Sequence, residues 1–233
     1  MGGLSVRRMM MYRMKGFIRF GVVYFFFLCF VPSSFGTTVD VMIVYDLTAK
    51  SWVDSHAGMS TFAASAVGRM NQALANSGVT SLTFRLVNAS QVSYTYATGD
   101  EGATLGNALS FLRSSSAVST LRNTCGADVV VMLVDTGSAY GTVGLGYELT
   151  QYMISRGEAQ KYAFSVSAIR SVYESETMTH EVGHNFGCGH SQDQADSPGP
   201  GIFSYSAGWY FSDYCSIMAY NDKDGDGYAD YIE

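Results

Sequence analysis

The chain has 233 residues, 47% of them hydrophobic and 15% charged, with 16 Tyr and 14 Phe. That length suits one domain with a real core, and that composition excludes disordered, collagen-like and coiled-coil classes. The formal net charge of −6 conceals an asymmetry: Arg7, Arg8, Arg13, Lys15 and Arg19 precede every acidic residue, which leaves 9 basic against 20 acidic residues, a net −11, in the remainder.

An acidic surface of that size repels phosphate backbones and anionic headgroups, so neither nucleic-acid binding nor stable membrane association of the mature chain is expected. Behind the basic stretch, Phe20 to Val31 forms a run of twelve uncharged residues, followed by Pro32 and the small residues Ser34 and Gly36. The run is too short to cross a bilayer, so residues 1–36 read as a secretory signal peptide rather than an uncleaved anchor. The mature protein is then expected to be extracellular, with the periplasm or cell surface as variants.

Val39 to Asp46 (VDVMIVYD) reads as a strand buried on both faces. Lys50 to Asn76 reads as one helix, with Phe62, Ala66, Met70, Ala73 and Leu74 on its apolar side and Gly78 as its stop. Ser81 to Tyr96 is the next strand region. Thr104 to Arg113 and Val118 to Asn123 are short helices, Ala127 to Asp135 is a second buried strand, and Phe164 to Ile169 a third. Between them, GTVGLGY (residues 141–147) lacks the strand-to-helix setting of a dinucleotide fingerprint and reads as a bent edge strand. Strands alternating with helices predict α/β (α+β) layering.

Residues 180 to 190 read HEVGHNFGCGH. Positions i and i+4 share a helix face, so His180 and His184 can direct imidazole nitrogens at one Zn²⁺. Glu181, one residue round the helix, can act as general base toward a zinc-activated water without ligating. Gly187 supplies a positive φ at the turn that returns His190 as third ligand. Three ligands leave one position open, which marks a catalytic zinc. His56 reads as a surface or capping histidine.

The motif together with Ser216-Ile217-Met218-Ala219-Tyr220 resembles the metzincin zinc endopeptidases, with Met218 at the Met-turn. The order of VDVMIVYD, NQALANSGV, GADVVVMLVD, the zinc motif and IMAY is similar to the reprolysin-like peptidases, above all the bacterial peptidyl-Asp metalloendopeptidase group. The resemblance spans residues 39 to 220. It implies a mixed twisted sheet with long helices, and a zinc peptidase domain over residues 37–220 that acts as a monomer on proteins or peptides. It also implies an oxyanion-stabilising role for Tyr220, and an edge strand at Gly144, Leu145 and Gly146 (running on to Tyr147) that binds an extended substrate. Ser191 departs from the family, which usually has Asp after the third histidine. No stretch between Gly36 and the first strand accommodates an inhibitory propeptide, and 13 residues after Tyr220 do not suffice for the usual C-terminal helix. An Asp-directed specificity would need a cation in the cleft, for which Arg156, Lys161 and Arg170 are the available sources.

Beyond the leader the cysteines are Cys125, Cys188 and Cys215. Residues alone leave their connectivity open. The metzincin arrangement implies a Cys188 to Cys215 bridge beneath the metal, with three buried thiols as the alternative. DKDGDGYADYIE (residues 222–233) follows the pattern of an EF-hand Ca²⁺ loop, with Asp222, Asp224, Asp226, the Tyr228 carbonyl, Asp230 and Glu233 as ligands and Gly227 at the sharp turn. It can open a linker to further modules. The competing functional class is a non-catalytic, calcium-dependent binding module with a structural zinc. A base at Glu181 and an open fourth position argue against it.

Overall fold

The computed structural model describes residues 36–96, 101–137, 141–226 and 229–232, with residues 101–103 by their backbone alone. The leader reading therefore lies, except for Gly36, outside the described residues.

Five strands make one sheet. β1 (Thr37–Tyr45), β2 (Leu82–Gln91), β3 (Val129–Val134) and β5 (Phe164–Ala168) run parallel, and β4 (Gly144–Gly146) is antiparallel at the edge, in the order β2-β1-β3-β5-β4. The β-branched runs explain the centre: every residue of β3 is buried, and its side chains alternate between two cores. Val129, Val131 and Leu133 face a layer made by α1 (Leu47–Asp54), α2 (Met59–Asn76), α6 (Ile169–Glu174) and α7 (Thr177–Asn185). Val130, Met132 and Val134 face α3 (Glu101–Ser114) and α4 (Ser116–Cys125). Each fully buried large side chain contributes roughly 1.5–3 kcal/mol relative to exposure, and neither core includes the three motif histidines. The α/β class expected from the sequence is the class observed.

One helix expected over residues 50–76 is two. Gly58 has φ +74° and opens α2, while α1 ends at Asp54, where His56 Nδ1 lies 2.8 Å from the Trp52 carbonyl and its ring stacks on Trp52. His56 is thus a capping residue. At the front of α1, buried Asp46 accepts from Ala49 N–H at 2.8 Å, a side-chain N-cap. The strand expected to include Ile169 stops at Ala168, and Ile169 begins α6.

Short elements without a clear period escaped the sequence reading: α5 (Gln151–Ser155), a 3-10 turn at Ala159–Tyr162, and the hairpin of β6 (Tyr210–Phe211) and β7 (Tyr214–Cys215). The tail docks on that hairpin, with Cys215 N–H donating to the Ile232 carbonyl at 2.9 Å. No disulfide joins Cys125, Cys188 and Cys215, so the expected Cys188 to Cys215 bridge is not formed. Cys215 is buried in β7, paired with Tyr210, while Cys188 sits in the turn after α7 with its carbonyl turned to His184. Main-chain hydrogen bonds hold each segment, and neither relies on a covalent link. Among the described residues no helix is long and apolar enough to cross a membrane.

Candidate metal centre

α7 lies against β5 and β4, and the residues facing it are small. Ser165 and Ser167, both fully buried, line that side of β5, and the glycines of β4 come next. Met178 and Val182 turn into the core, which leaves His180, Glu181 and His184 toward the edge of the sheet. The helix ends where Gly187 takes φ +82°, the positive value expected at the turn. After it, Gly189 N–H donates to the Ser206 carbonyl at 2.8 Å and Gly208 N–H to the Gly189 carbonyl at 3.1 Å, and the returning chain delivers His190.

The three imidazoles meet. His190 Nε2 lies 3.1 Å from His180 Nε2 and 3.1 Å from His184 Nε2. Each Nδ1 faces a backbone carbonyl: His180 that of Ile217 at 2.6 Å, His184 that of Cys188 at 2.8 Å, His190 that of Ser197 at 3.0 Å. A carbonyl only accepts, so each Nδ1 carries the proton and each Nε2 presents a lone pair inward. Burial also holds the imidazoles of His180 and His184 down to about 4, which keeps them neutral. Three converging lone pairs repel one another unless a cation lies between them. Zn–N bonds of about 2.0–2.1 Å in a tetrahedron put the nitrogens roughly 3.3 Å apart, close to the spacing seen, so this donor set fits zinc.

Glu181 is 6% exposed and lies under β4. Gly146 N–H donates to its carboxylate, while burial pushes the carboxyl up to about 8. A cation beside it would favour the carboxylate and oppose that shift. The β4 glycines are required here: a Cβ on Gly144 would overlap the Glu181 carboxyl, and one on Gly146 would run into the Glu181 main chain. Gly183, between the histidines, is tied to the Met-turn the same way, because a Cβ there would strike Met218 Sδ. Tyr220 is 37% exposed, with its ring centre 4.6 Å from that of His190. Burial and the nearby Glu181 and Asp196 charges raise its phenol above the ordinary value, so it remains a donor.

On β4, Ala168 N–H donates to the Val143 carbonyl and Tyr147 N–H to the Phe164 carbonyl, so these groups are taken by the β5 side. Alternation turns the backbone of Gly144 and the Gly146 carbonyl to the open edge, the Gly146 N–H being held by Glu181, and turns the backbone of Leu145 toward Val166 of β5. Of the cations available for acid recognition, Arg170 is held by Asp135 at 2.7 Å, and Arg156 and Lys161 both pair with Glu158. Asp222, Asp224 and Asp226 each place an oxygen within 4.8 Å of the others. Asp230 Oδ2 instead accepts Lys223 N–H at 2.9 Å, and Gly227, Tyr228 and Glu233 lie outside the described residues.

Two bridging side chains near the centre escaped sequence reasoning. Asn185 Nδ2 donates to the Tyr147 carbonyl at 2.9 Å and the Phe164 carbonyl at 3.0 Å, and so binds α7 to the edge strand. Gln194 bridges two backbone segments, donating to the Asp196 carbonyl and accepting Tyr220 N–H. Their partners are main-chain atoms, which every residue carries, so no residue pattern announces them.

A reprolysin profile of metallo-peptidase family M12 matches residues 36–229. The chain belongs to this family. A relative, the peptidyl-Asp metalloendopeptidase of Pseudomonas aeruginosa, is 30% identical over 163 residues, 67% of this chain and 26% of that protein. This M12 chain therefore spans about a quarter of that relative's length. In a solved structure described as a chaperone-substrate complex, one chain superposes with a TM-score of 0.57 at 18% identity, covering 79% of this chain and 28% of that one. At that identity the likeness speaks for the fold. With the family and the imidazole triad together, zinc is the metal of this centre.

Proposed function

We propose that the chain is a secreted zinc endopeptidase that hydrolyses peptide bonds with Glu181 as general base. One observation carries this reading: three imidazole lone pairs converge beside a buried carboxylate under an open strand edge. When bound by His180, His184 and His190, zinc supplies a Lewis acid that polarises the scissile carbonyl and the attacking water. The outer edge of β4 at Gly144 and the Gly146 carbonyl takes the substrate as an added antiparallel strand, which presents the bond to Glu181. Glu181 removes a proton from the attacking water and delivers it to the leaving amine. The Tyr220 phenol, still protonated, donates to the oxygen on which negative charge develops. A structural zinc in a binding module would need no buried base and no roof of glycines, so that alternative is not favoured.

The test is mass-spectrometric mapping of cleavage sites in a peptide library, with and without a zinc chelator. Internal cleavage that stops on chelation and returns with added zinc is expected. Cleavage indifferent to chelation would refute the reading. Preference for Asp, as in the name of the Pseudomonas relative, finds no support from Arg156, Lys161 or Arg170, which are engaged by carboxylates.

The leader is read as export to the extracellular space, and the acidic loop as a calcium site. Asp222, Asp224 and Asp226 offer hard oxygen ligands, and Lys223 in the same loop accepts Ala195 N–H at 2.8 Å, so ordering the loop steadies the segment after His190. Millimolar Ca²⁺ should lengthen the thermal half-life of the wild type and not that of the double variant Asp222→Ala, Asp226→Ala, with zinc content equal in both. A half-life insensitive to calcium would remove the ion from this account.

A further inference from the structure

His190 is the ligand that α7 does not carry. Helix geometry positions His180 and His184, whereas His190 depends on the loop that follows it. That loop has to be pinned from elsewhere. The residue after His190 is Ser191, 2% exposed, whose Oγ accepts Asp193 N–H at 3.2 Å within the same turn. No carboxylate from position 191 reaches across to the Met-turn.

We propose that Gln194 is the positioning residue that joins the third ligand and Tyr220 into one unit, an inference that rests on the zinc peptidase reading above. Its side chain is 4% exposed. Nε2 donates to the Asp196 carbonyl at 2.6 Å, and Oε1 accepts Tyr220 N–H at 3.1 Å. The first bond closes the loop on itself one residue before Ser197, whose carbonyl receives His190 Nδ1–H. Ser197 has φ +49° and precedes Pro198, a backbone state that a side-chain-bearing residue adopts only when its surroundings impose it. Gln194 is the buried group placed to impose it. The second bond crosses to the segment leaving the Met-turn and fixes the main chain of Tyr220, whose ring lies against His190.

One amide thus sets the direction of the third imidazole and the height of the phenol over it. Being uncharged, it does so without titrating. Both polar ends are satisfied by main chain, so a side chain lacking them takes a partner from two part-buried backbone groups of different segments, the Asp196 carbonyl and the Tyr220 N–H.

The experiment uses the full chain with Gln194→Met, which keeps the length and volume of the side chain and removes both hydrogen bonds. Zinc affinity is measured by competition with a fluorescent chelator, alongside kcat, KM and the hydrogen exchange of the Tyr220 amide. The zinc dissociation constant should rise about ten- to a hundredfold, as for other groups that orient metal ligands. In addition kcat should fall while KM stays within about threefold, because substrate binding along β4 is untouched. A variant with wild-type zinc affinity, or with KM raised and kcat unchanged, would overturn the assignment. If Gln194→Met fails to fold, the wild type decides: its Tyr220 amide should exchange on the order of a hundredfold slower than an open one, and an unprotected amide overturns the bridge. A wild type that binds no zinc would instead refute the zinc reading.

Discussion

Glu181→Gln should keep zinc and fold while lowering kcat by about 10² to 10⁴. Glutamine conserves the volume of the buried side chain and still accepts Gly146 N–H, so β4 and α7 keep their contact. What disappears is the capacity to take a proton from water and return it to the leaving amine. Zinc content by metal analysis, together with single-turnover rates on a mapped peptide, gives the answer. Turnover within tenfold of wild type would exclude Glu181 as the base. Gly144→Ala reaches the same carboxylate by another route, because its Cβ would occupy the space of the Glu181 carboxyl group and force it aside. It too should retain zinc and lose at least about tenfold in kcat, since displacement of a base by an ångström misaligns proton transfer.

His184→Ala should lose metal and activity together. The side chain contributes one inward lone pair, fixed by its Nδ1–H bond to the Cys188 carbonyl at 2.8 Å. Two imidazoles hold Zn²⁺ poorly, and the loss of a ligand should exceed the ten- to hundredfold cost of losing a group that merely orients one, so affinity falls by more than about a hundredfold. The two cores flanking the sheet do not include His184, so the metal-free variant should keep its secondary structure by circular dichroism. One zinc per chain at wild-type affinity in His184→Ala would contradict the ligand assignment.

How far the sequence reached differs from element to element. β3 was legible because six consecutive apolar residues, four of them valine, suit only a strand covered on both faces. The break between α1 and α2 was not, because Gly58 inside a helical pattern reads as a tolerated residue until its φ of +74° is known. β6 and β7 have two residues each, too few to show alternation. The Cys188 to Cys215 bridge implied by the metzincin arrangement is absent, and both residues carry free thiols. Main-chain hydrogen bonds hold them instead.

By itself the sequence determined which donors meet at the centre. The three histidine-motif residues His180, Glu181 and His184 lie on one helix, where covalent spacing and 3.6 residues per turn set their relative directions without help from distant residues. Gly187 and His190 extend that local logic by one turn. Only the tertiary structure decided what surrounds them. That Gly144 and Gly146 are glycines because Glu181 lies against them, that Gly183 is one because of Met218, and that Asn185 and Gln194 clamp the edge strand and the Tyr220 backbone are facts about contacts between residues 10 to 40 positions apart. Such contacts follow from how the sheet, α7 and the Met-turn close on one another, and packing of that kind leaves no period in the chain for a reader to find.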